Sequence, residues 1–340
     1  MSSVKKIITI GEILVEIMAK EPGEGFRSPI DLVGPFPSGA PAIFIDQVAK
    51  LGQPCGIVSC VGDDDFGAMN TERLRRDGVD IAAIAVEPGA ATGSAFVRYR
   101  KDGQRDFVFN IKHSACGLIR QTPDADALID SADHLHVMGS SLFSDDIVTL
   151  IRRAIGRIKT KGGTVSFDPN IRKEILGLPG MIEALDHVLG QTDLFLPSGP
   201  ELFLLTGATD EVPAVREILA RGVRAIVLKR GADGATYYEH GAPLHMPAFR
   251  VEEVDPTGAG DSFGATFVTC WLRDMAPREA LRLATASGAR AVRVKGPMEG
   301  TSTRAELDAF LANHDSGVPS GRLAPRHGTR GRSRDRTSPP

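Results

Sequence analysis

The segment Val254-Asp255-Pro256-Thr257-Gly258-Ala259-Gly260-Asp261-Ser262-Phe263 is the part of the sequence around which the rest can be organised. Apolar residues recur after it at helical spacing, at Phe263, Phe267, Val268, Trp271 and Leu272. This spacing predicts a helix that begins at about Gly258, with Thr257 as its N-cap. The N–H groups of a first helical turn have no partner within the helix, and glycine lets a ligand come close to them. Residues 258–260 therefore predict an anion hole.

Asp261 stands beside this expected anion hole. A carboxylate there is explained if a neutral hydroxyl must lose its proton while a phosphoryl group arrives next to it. An acidic residue in a first helical turn can also serve stability alone, because the helix dipole favours it. A dinucleotide fingerprint fits less well, since Phe263 occupies the third glycine position of G-x-G-x-x-G. The sequence contains no G-x-x-x-x-G-K-[ST] phosphate loop.

Length and composition bound the class of protein. The chain has 340 residues and a formal net charge of −3, which gives no reason to expect a nucleic acid or a membrane as a partner. Its cysteines, Cys55, Cys60, Cys116 and Cys270, lack C-x-x-C spacing and are expected to be buried thiols in a reducing compartment. A strand is expected almost at the first residue, which leaves no room for a signal peptide. We therefore expect a cytoplasmic protein.

Short apolar runs alternate with amphipathic stretches along most of the chain, as in a mainly parallel sheet covered by helices. The predicted strands are 6–10, 56–60, 134–138, 164–167, 193–196 and 225–228. The predicted helices are 40–51, 66–77, 144–159, 212–221 and 277–292. Right-handed crossovers between such elements build a doubly wound α/β layer.

Two segments depart from this alternation. Residues 92–110 alternate in character around Asp102-Gly103, which indicates a β-hairpin, and residues 15–37 are rich in glycine and proline with strand-like pieces. Together they predict a small β-sheet that stands off the main layer as a lid, a plain surface hairpin being the alternative. We expect one domain over residues 1–313. The arginine-rich residues 314–340 are expected to be a disordered basic tail.

Polar residues follow the predicted strands, and in open α/β sheets ligands bind beyond the carboxyl ends of the strands. They are Glu12 and Glu16 near the first strand, Asp168, Asn170 and Arg172 after 164–167, Glu201 after 193–196, and Lys229 after 225–228. Convergence of these groups near Gly258 suits a sugar-like ligand, a magnesium nucleotide and a transferring phosphate. Each group also has a structural explanation, a strand-exit ion pair for Asp168 and Arg172 and a first-turn acid for Glu201.

Two other clusters are expected to be structural. His134 and His136 resemble a metal pair, but they alternate along one predicted strand. Arg73, Arg75 and Arg76 are expected to form a solvated helix face.

Taken together, the motifs resemble the ribokinase (phosphofructokinase-B type) family of carbohydrate kinases. The resemblance runs from about residue 6 to residue 311. It rests on Gly11-Glu12, Ser38-Gly39-Ala40-Pro41-Ala42, Val61-Gly62-Asp63-Asp64-Asp65-Phe66-Gly67, Phe167-Asp168-Pro169-Asn170 and, above all, Asp255-Pro256-Thr257-Gly258-Ala259-Gly260-Asp261.

The resemblance implies a ribokinase-like fold and ATP-dependent phosphorylation of a sugar hydroxyl, with Asp261 as the base and the backbone of Gly258, Ala259 and Gly260 as the anion hole. It implies Mg²⁺, with Glu201 near it through water or phosphate, and K⁺ as a further ion at the Asp255 loop. The nucleotide is expected near Lys229, Gly231, Gly234, Thr257, Gly258, Gly260, Ala286 and Gly288. A homodimer formed through the lid is also implied.

Within the family, the opening segment and residues 34–44 look most like ketohexose kinases, those for tagatose in particular. We therefore expect D-tagatose to be converted to D-tagatose 6-phosphate, with 2-keto-3-deoxygluconate and fructose as alternative substrates. The expected sugar contacts are Glu16, Gly39, Ala40, Asn170, Arg172 and Asp261. The chain departs from the family at Ser38, Ile43 and Ser198, and at Glu16, where the family commonly has an aspartate. A catalytically inactive sugar-binding regulator and a nicotinamide-dependent oxidoreductase are alternatives of other classes.

Overall fold

The computed structural model describes residues 4–101, 105–171 and 179–315. The strands are β1 (Ile7–Ile10), β2 (Leu14–Ala19), β3 (Leu32–Ser38), β4 (Cys55–Gly62), β5 (Ile84–Glu87), β6 (Gly93–Tyr99), β7 (Arg105–Asn110), β8 (His134–Met138), β9 (Thr164–Asp168), β10 (Leu194–Phe195), β11 (Ala225–Lys229), β12 (Ala235–Tyr238) and β13 (Leu244–Met246). The helices are α1 (Ala40–Lys50), α2 (Asp65–Asp77), α3 (Pro123–Ser131), α4 (Asp145–Thr160), α5 (Met181–Leu189), α6 (Glu211–Ala220), α7 (Ala259–Leu272), α8 (Pro277–Ala291) and α9 (Arg304–Asp315).

Within the described ranges, the strands form a large sheet of nine and a separate small sheet of four. The large sheet has the order β13-β12-β11-β10-β9-β8-β1-β4-β5, and its strands are parallel except for the antiparallel pairs made by β12 and β13. Residues of β1 are buried on both faces, with Ile8 and Ile10 in one hydrophobic cluster and Ile7 in the other. The large sheet is therefore covered by helices on both faces, and the predicted α/β fold class is confirmed.

The small sheet has the order β3-β2-β6-β7 and consists of the segments predicted to stand off the main layer. β6 and β7 pair antiparallel with Tyr99 opposite Arg105, as the hairpin prediction requires, while Asp102 and Gly103 lie outside the described residues. Ala95 and Val97, which share one face of the small sheet, are 2% and 0% exposed, whereas Val108, which is on the opposite face, is 53% exposed. One face of the small sheet therefore packs against the protein and the other faces solvent.

The structure places some helix ends at other residues than the sequence predicts. The N-cap of α7 is Gly258 rather than Thr257, because Gly258 adopts the left-handed conformation (φ 80°) that starts the helix, while the Thr257 N–H donates to Asp255 Oδ1. Helix α9 continues to Asp315, where Arg282 pairs with it, so two residues of the predicted tail are helical. Residues 316–340 lie outside the described residues.

Some elements were not predicted from the sequence, namely β5, the β12–β13 hairpin, α3, α5 and α9. β5 is a four-residue edge strand without buried residues, and β13 has only three residues. Such short segments lack enough residues for a periodic apolar pattern. None of the helices within the described ranges has the length and apolar content that a membrane crossing would require.

Arg73 is not part of a solvated helix face, which corrects the prediction for that residue. Its guanidinium donates to Asp77 Oδ2 (2.7 Å) and to the Met298 carbonyl (2.8 Å). It also lies 3.6 Å from Asp46 Oδ2, and the Thr301 hydroxyl donates to the same oxygen. Arg73 therefore ties α1 and α2 to the segment after α8, whereas Arg75 and Arg76 are exposed as predicted.

Asp46 should make the stability of this protein decrease as pH rises. Burial raises the pKa of Asp46 to about 7, although Arg73 and the Thr301 hydroxyl act in the opposite direction. The folded protein thus keeps a proton that the unfolded chain loses near pH 4. The contribution of Asp46 to the free energy of unfolding therefore falls between about pH 4 and pH 7 and is constant above that range.

Asp46→Asn should remove this decline. Urea unfolding at several pH values between about 4 and 7 measures how the free energy of unfolding changes with pH. Asp308→Asn is the control, because Asp308 is exposed and its removal should leave the wild-type pH dependence unchanged. An Asp46→Asn protein with the wild-type slope would show that Asp46 is ionised in the folded state.

Candidate active site

A cavity of about 740 Å³ lies between the carboxyl ends of the central strands and the inner face of the small sheet. The large sheet contributes Asp168 at the end of β9 and Lys229 at the end of β11. The small sheet contributes Glu16 of β2 and Ala95 of β6. The predicted convergence of strand ends is therefore found, and the small sheet covers it.

The N-terminus of α7 faces this cavity through Thr257, Gly258, Gly260 and Asp261. Gly258 must be glycine, because it has a left-handed φ of 80° and a Cβ there would collide with the Pro297 carbonyl oxygen. No side chain caps the helix. The first turn therefore presents backbone N–H groups and the positive end of a 14-residue helix to the cavity.

Asp261 lies beside Asn170, whose Nδ2 donates to Asp261 Oδ1 over 3.3 Å. Asn170 has a positive φ of 41°, which asparagine tolerates better than most residues, and its N–H donates to Asp168 Oδ1 (3.1 Å). The turn after β9 thus holds the amide of Asn170 against the carboxylate of Asp261. An amide donor keeps that carboxylate oriented without removing its capacity to accept a proton.

Asp168 forms a buried salt bridge with Lys229, with side-chain exposures of 2% and 11%. Burial alone lowers the pKa of Lys229, but the Asp168 and Glu201 carboxylates reverse that effect and raise it above its usual value. Lys229 therefore carries a positive charge at the cavity wall. A cation of this kind can balance the charge of a phosphate group.

Glu201 connects two strand exits. Its Oε1 accepts the Ile171 N–H and its Oε2 accepts the Ser198 N–H, each over 2.7 Å. Burial, followed by repulsion from Asp168, raises the pKa of Glu201 above its usual value. Within the described residues no cluster of three or more His, Cys, Asp or Glu side chains could hold a metal ion by itself. A cation near Glu201 would therefore need oxygen ligands from a bound phosphate or from water.

The sugar-side residues predicted from the sequence lie at the other end of the cavity. Glu16 is 4% exposed and accepts a 3.5 Å hydrogen bond from the Ser38 hydroxyl. Ala40 lines the cavity at the N-terminus of α1, and Gly39 caps that helix without being a lining residue. Arg172 lies outside the described residues.

Asp255 is 1% exposed and does not line the cavity. Its Oδ1 accepts the Tyr99 hydroxyl (2.6 Å) and the Thr257 N–H (3.0 Å), and its Oδ2 accepts the Gly296 N–H (3.0 Å). These three donors already use most of the acceptor capacity of the carboxylate. A monovalent cation at this loop would therefore depend on backbone carbonyl groups as well.

Several residues predicted to contact the nucleotide do not line the cavity, namely Gly231, Gly234, Ala286 and Gly288, and the same holds for Ala259 of the anion hole. Gly234 has a φ of 93° and a backbone packed against Met246, so its glycine serves the turn before β12. Gly288 lies against the Ala259 carbonyl, where a Cβ would stand 3.4 Å away. An added Cβ would make an ordinary van der Waals contact there, so Gly288 packs behind the first turn of α7 without a steric need for glycine.

The histidine pair is part of the core. His134 bonds to Thr164 and Ser166, and His136 bonds to Ser166 and stacks on Phe44. Burial lowers the pKa of His134 to about 3, so its ring is neutral. Both rings are fully buried and their polar contacts are to hydroxyl groups, which supports the structural interpretation.

The lining residues that the sequence interpretation missed include three neighbours on one strand. Arg105, Phe107 and Phe109 of β7 point into the cavity, and the Arg105 guanidinium lies 5.3 Å from the centre of the Phe107 ring. The two phenyl rings stack with 4.9 Å between their centres. Their period of two in the sequence was a usable signal, because alternate residues of a strand share a face.

Comparisons with known proteins agree on one family. The pattern described as "pfkB family carbohydrate kinase" matches residues 4–304. A curated relative, the 2-dehydro-3-deoxygluconokinase of Thermoproteus tenax, is 32% identical over 313 residues, covering 90% of this chain and 94% of its own.

Two solved structures are also similar. An E. coli structure provisionally assigned as Ribokinase II, in complex with ATP and Mg²⁺, has a TM-score of 0.86 and 49% identity, covering 91% of this chain and all of that chain. A fructokinase double mutant from Vibrio cholerae O395, bound to fructose, ADP and potassium ion, has a TM-score of 0.78 and 26% identity over 91% of this chain and 99% of that chain.

Proposed function

Because the chain belongs to the pfkB family of carbohydrate kinases, we propose that its cavity transfers a phosphoryl group from ATP to a hydroxyl of a six-carbon ketose or keto sugar acid. One observation carries this proposal. The carboxylate of Asp261, the amide of Asn170 and the N-terminal turn of α7 meet in the same cavity. A proton acceptor and an anion-binding turn are the two parts that phosphorylation of a hydroxyl needs.

In the proposed reaction the sugar hydroxyl lies against Asp261, which accepts its proton as the oxygen attacks phosphorus. Asn170 keeps the carboxylate turned toward that hydroxyl through its 3.3 Å hydrogen bond. Glu16 and Ser38 bind sugar hydroxyls at the small-sheet end of the cavity. The positive end of α7 favours an ionised carboxylate, which is an adequate base because phosphoryl transfer depends mainly on position and charge.

The residues at the phosphate end fit ATP and Mg²⁺. ATP supplies the phosphoryl group when bound, and the E. coli structure contains it together with Mg²⁺. The N–H groups of Gly258 and Gly260 lie where they can hold phosphoryl oxygens, and a Cβ added at Gly260 would stand 3.9 Å from Lys229 Nζ, so this cation lies beside the turn. Glu201 would share the metal ion with those oxygens. A K⁺ ion near Asp255 stays a prediction, supported by the potassium in the Vibrio cholerae structure.

Tagatose is the substrate that the sequence favours, but the relatives are named for activity on fructose and on 2-dehydro-3-deoxygluconate. A specific observation supports the sugar acid, 2-keto-3-deoxygluconate. Arg105 lines the cavity beside Phe107, and within the described residues no salt bridge joins it to a carboxylate. An arginine in that position could receive a substrate carboxylate.

Arg105→Ala should separate the candidate substrates. If 2-keto-3-deoxygluconate is the substrate, the KM for it should rise by about 10-fold to 100-fold, the value of a charge-assisted hydrogen bond. The KM values for tagatose and fructose should stay within about twofold of those of the wild type, because neither sugar carries a charge. Steady-state kinetics on the three compounds measures this.

Arg100→Ala is the matched control, since Arg100 is an exposed arginine of the same hairpin whose guanidinium pairs with Asp106. An equal loss on neutral and acidic compounds in Arg105→Ala would show that Arg105 shapes the cavity rather than choosing the substrate.

ADP release tests the proposed function. The purified protein with MgATP should release ADP with one or more of tagatose, fructose, psicose and 2-keto-3-deoxygluconate, and much less with ribose or adenosine. If no compound caused ADP release while ATP still bound, the result would favour the alternative of another class, a sugar-binding regulator that retains the fold. A homodimer through the small sheet and a cytoplasmic location stay predictions, the first supported by the 53% exposure of Val108 on the outer face.

A further inference from the structure

The small sheet contacts the loop before the anion hole through Tyr99. This residue ends β6, and its hydroxyl donates to Asp255 Oδ1 over 2.6 Å and lies 3.2 Å from Thr257 Oγ1. Burial, followed by the hydrogen bond to Asp255, raises the pKa of Tyr99 above its usual value. The phenol is therefore protonated at neutral pH and acts as the donor in a charge-assisted hydrogen bond.

Asp255 connects this contact to two other segments. The same carboxylate accepts the N–H of Thr257, just before the first turn of α7, and the N–H of Gly296 in the segment after α8. The carbonyl of Pro297, the next residue, lies against Gly258. Asp255 thus sets the spacing between the two backbone segments that frame the anion hole.

A second side chain of the small sheet contacts the same region. Phe36 of β3 packs against Gly296, where an added Cβ would stand 2.8 Å from Phe36 Cδ1. Glu16 of β2 pairs in register with Phe36 on one side and with Ala95 of β6 on the other. The strand with the expected sugar contact therefore lies between the two strands that contact the Asp255 region.

We propose that Tyr99 is a positioning residue that couples the placement of the small sheet over the sugar to the conformation of the Asp255–Gly258 segment. This inference rests on the proposed function. When the sugar holds the small sheet in place, Tyr99 fixes Asp255, and Asp255 fixes the Thr257 and Gly296 backbones that frame the phosphate site. The sugar and the nucleotide should consequently bind with positive coupling, each increasing the affinity for the other by the same factor.

Tyr99→Phe removes the hydroxyl and keeps the ring. In the wild type, a saturating sugar should tighten binding of a non-hydrolysable ATP analogue by about tenfold. In Tyr99→Phe this factor should fall to within about twofold of one, while the affinity for the sugar alone stays near the wild-type value. The variant should also show a higher KM for ATP and a lower kcat at an unchanged melting temperature, a combination that a loss of fold would not produce.

Tyr237→Phe is the matched control, because the hydroxyl of Tyr237 also donates to a carboxylate, that of Glu239, while this buried tyrosine lies in the large sheet. This variant should keep the wild-type coupling. Wild-type coupling in Tyr99→Phe, or equal losses in both variants, would overturn the proposal.

Amide hydrogen exchange without any ligand separates this inference from the proposed function. Peptides that contain Thr257 and Gly296 should exchange faster in Tyr99→Phe than in the wild type or in Tyr237→Phe, because the Asp255 carboxylate that accepts both N–H groups has lost its anchor. Unchanged exchange would overturn the role of Tyr99 even in an active kinase. Absence of sugar turnover in the wild type would overturn the proposed function instead, and the exchange result would still decide the role of Tyr99.

Discussion

Asp261→Asn should lower kcat by about 10³-fold, because the sugar hydroxyl would lose the group that accepts its proton during phosphoryl transfer. Asparagine has nearly the same shape and can still contact Asn170, so the sugar and ATP should bind with affinities close to those of the wild type. Single-turnover phosphorylation with the best sugar of the panel measures the effect on chemistry, and calorimetry measures the two affinities.

Asp65→Asn is the matched control for this substitution. Asp65 also stands in the first turn of a helix, α2, but it is exposed and does not line the cavity. If Asp261 served only the helix dipole, both substitutions should cost a few tenths of a kcal/mol in stability and leave kcat unchanged. A kcat for Asp261→Asn within about threefold of wild type would therefore refute its role as the base.

Lys229→Met should destabilise the protein by about 3 kcal/mol, because it leaves the Asp168 carboxylate buried without its partner. Activity should fall as well, since the positive charge at the cavity wall is lost. The double variant Lys229→Met/Asp168→Asn should recover most of the stability, because an uncharged amide can remain in the same place and still accept the Asn170 N–H. Its activity should stay low, because the positive charge of Lys229 is still absent. Urea unfolding measures the stabilities, and ADP release measures the activity.

Lys159→Met is the matched control for the salt bridge. Lys159 pairs with Asp193, but their side chains are 31% and 15% exposed, so water compensates part of the lost interaction. We expect a loss below about 1 kcal/mol there. Equal losses for Lys159→Met and Lys229→Met would show that the Asp168–Lys229 pair is not shielded from solvent.

The sequence was sufficient to predict a parallel sheet covered by helices, because this architecture follows from patterns within short segments. An apolar run such as Ile7–Ile10 is buried on both faces, and only a covered parallel sheet explains several runs of that kind. The start of α7 was predicted within one residue, because glycine and the following apolar period mark a helix start. The choice between Thr257 and Gly258 as its N-cap depended on a contact with Pro297, a residue far along the chain, and could not be predicted locally.

The site was predicted less completely, since side-chain partners come from distant segments. Arg73 has the sequence context of a surface arginine, yet Met298 and Thr301 bury it. The salt bridge between Asp168 and Lys229 joins two strand ends whose pairing depends on the sheet order. For Arg105 and Tyr99 the sequence predicts only that they belong to a hairpin. Alternation shows which residues share a face of a strand, but it does not show which of the two faces is turned toward the cavity.

The central claim is that this cavity joins a phosphoryl group to a sugar hydroxyl, and identification of the product tests it most directly. Mass spectrometry of a reaction with MgATP and the best sugar should find one singly phosphorylated sugar for each ADP formed, and both products should form about 10³-fold more slowly with Asp261→Asn. ADP accompanied by free inorganic phosphate, with the sugar unmodified, would contradict the claim, because the hydroxyl beside Asp261 would then not be the acceptor.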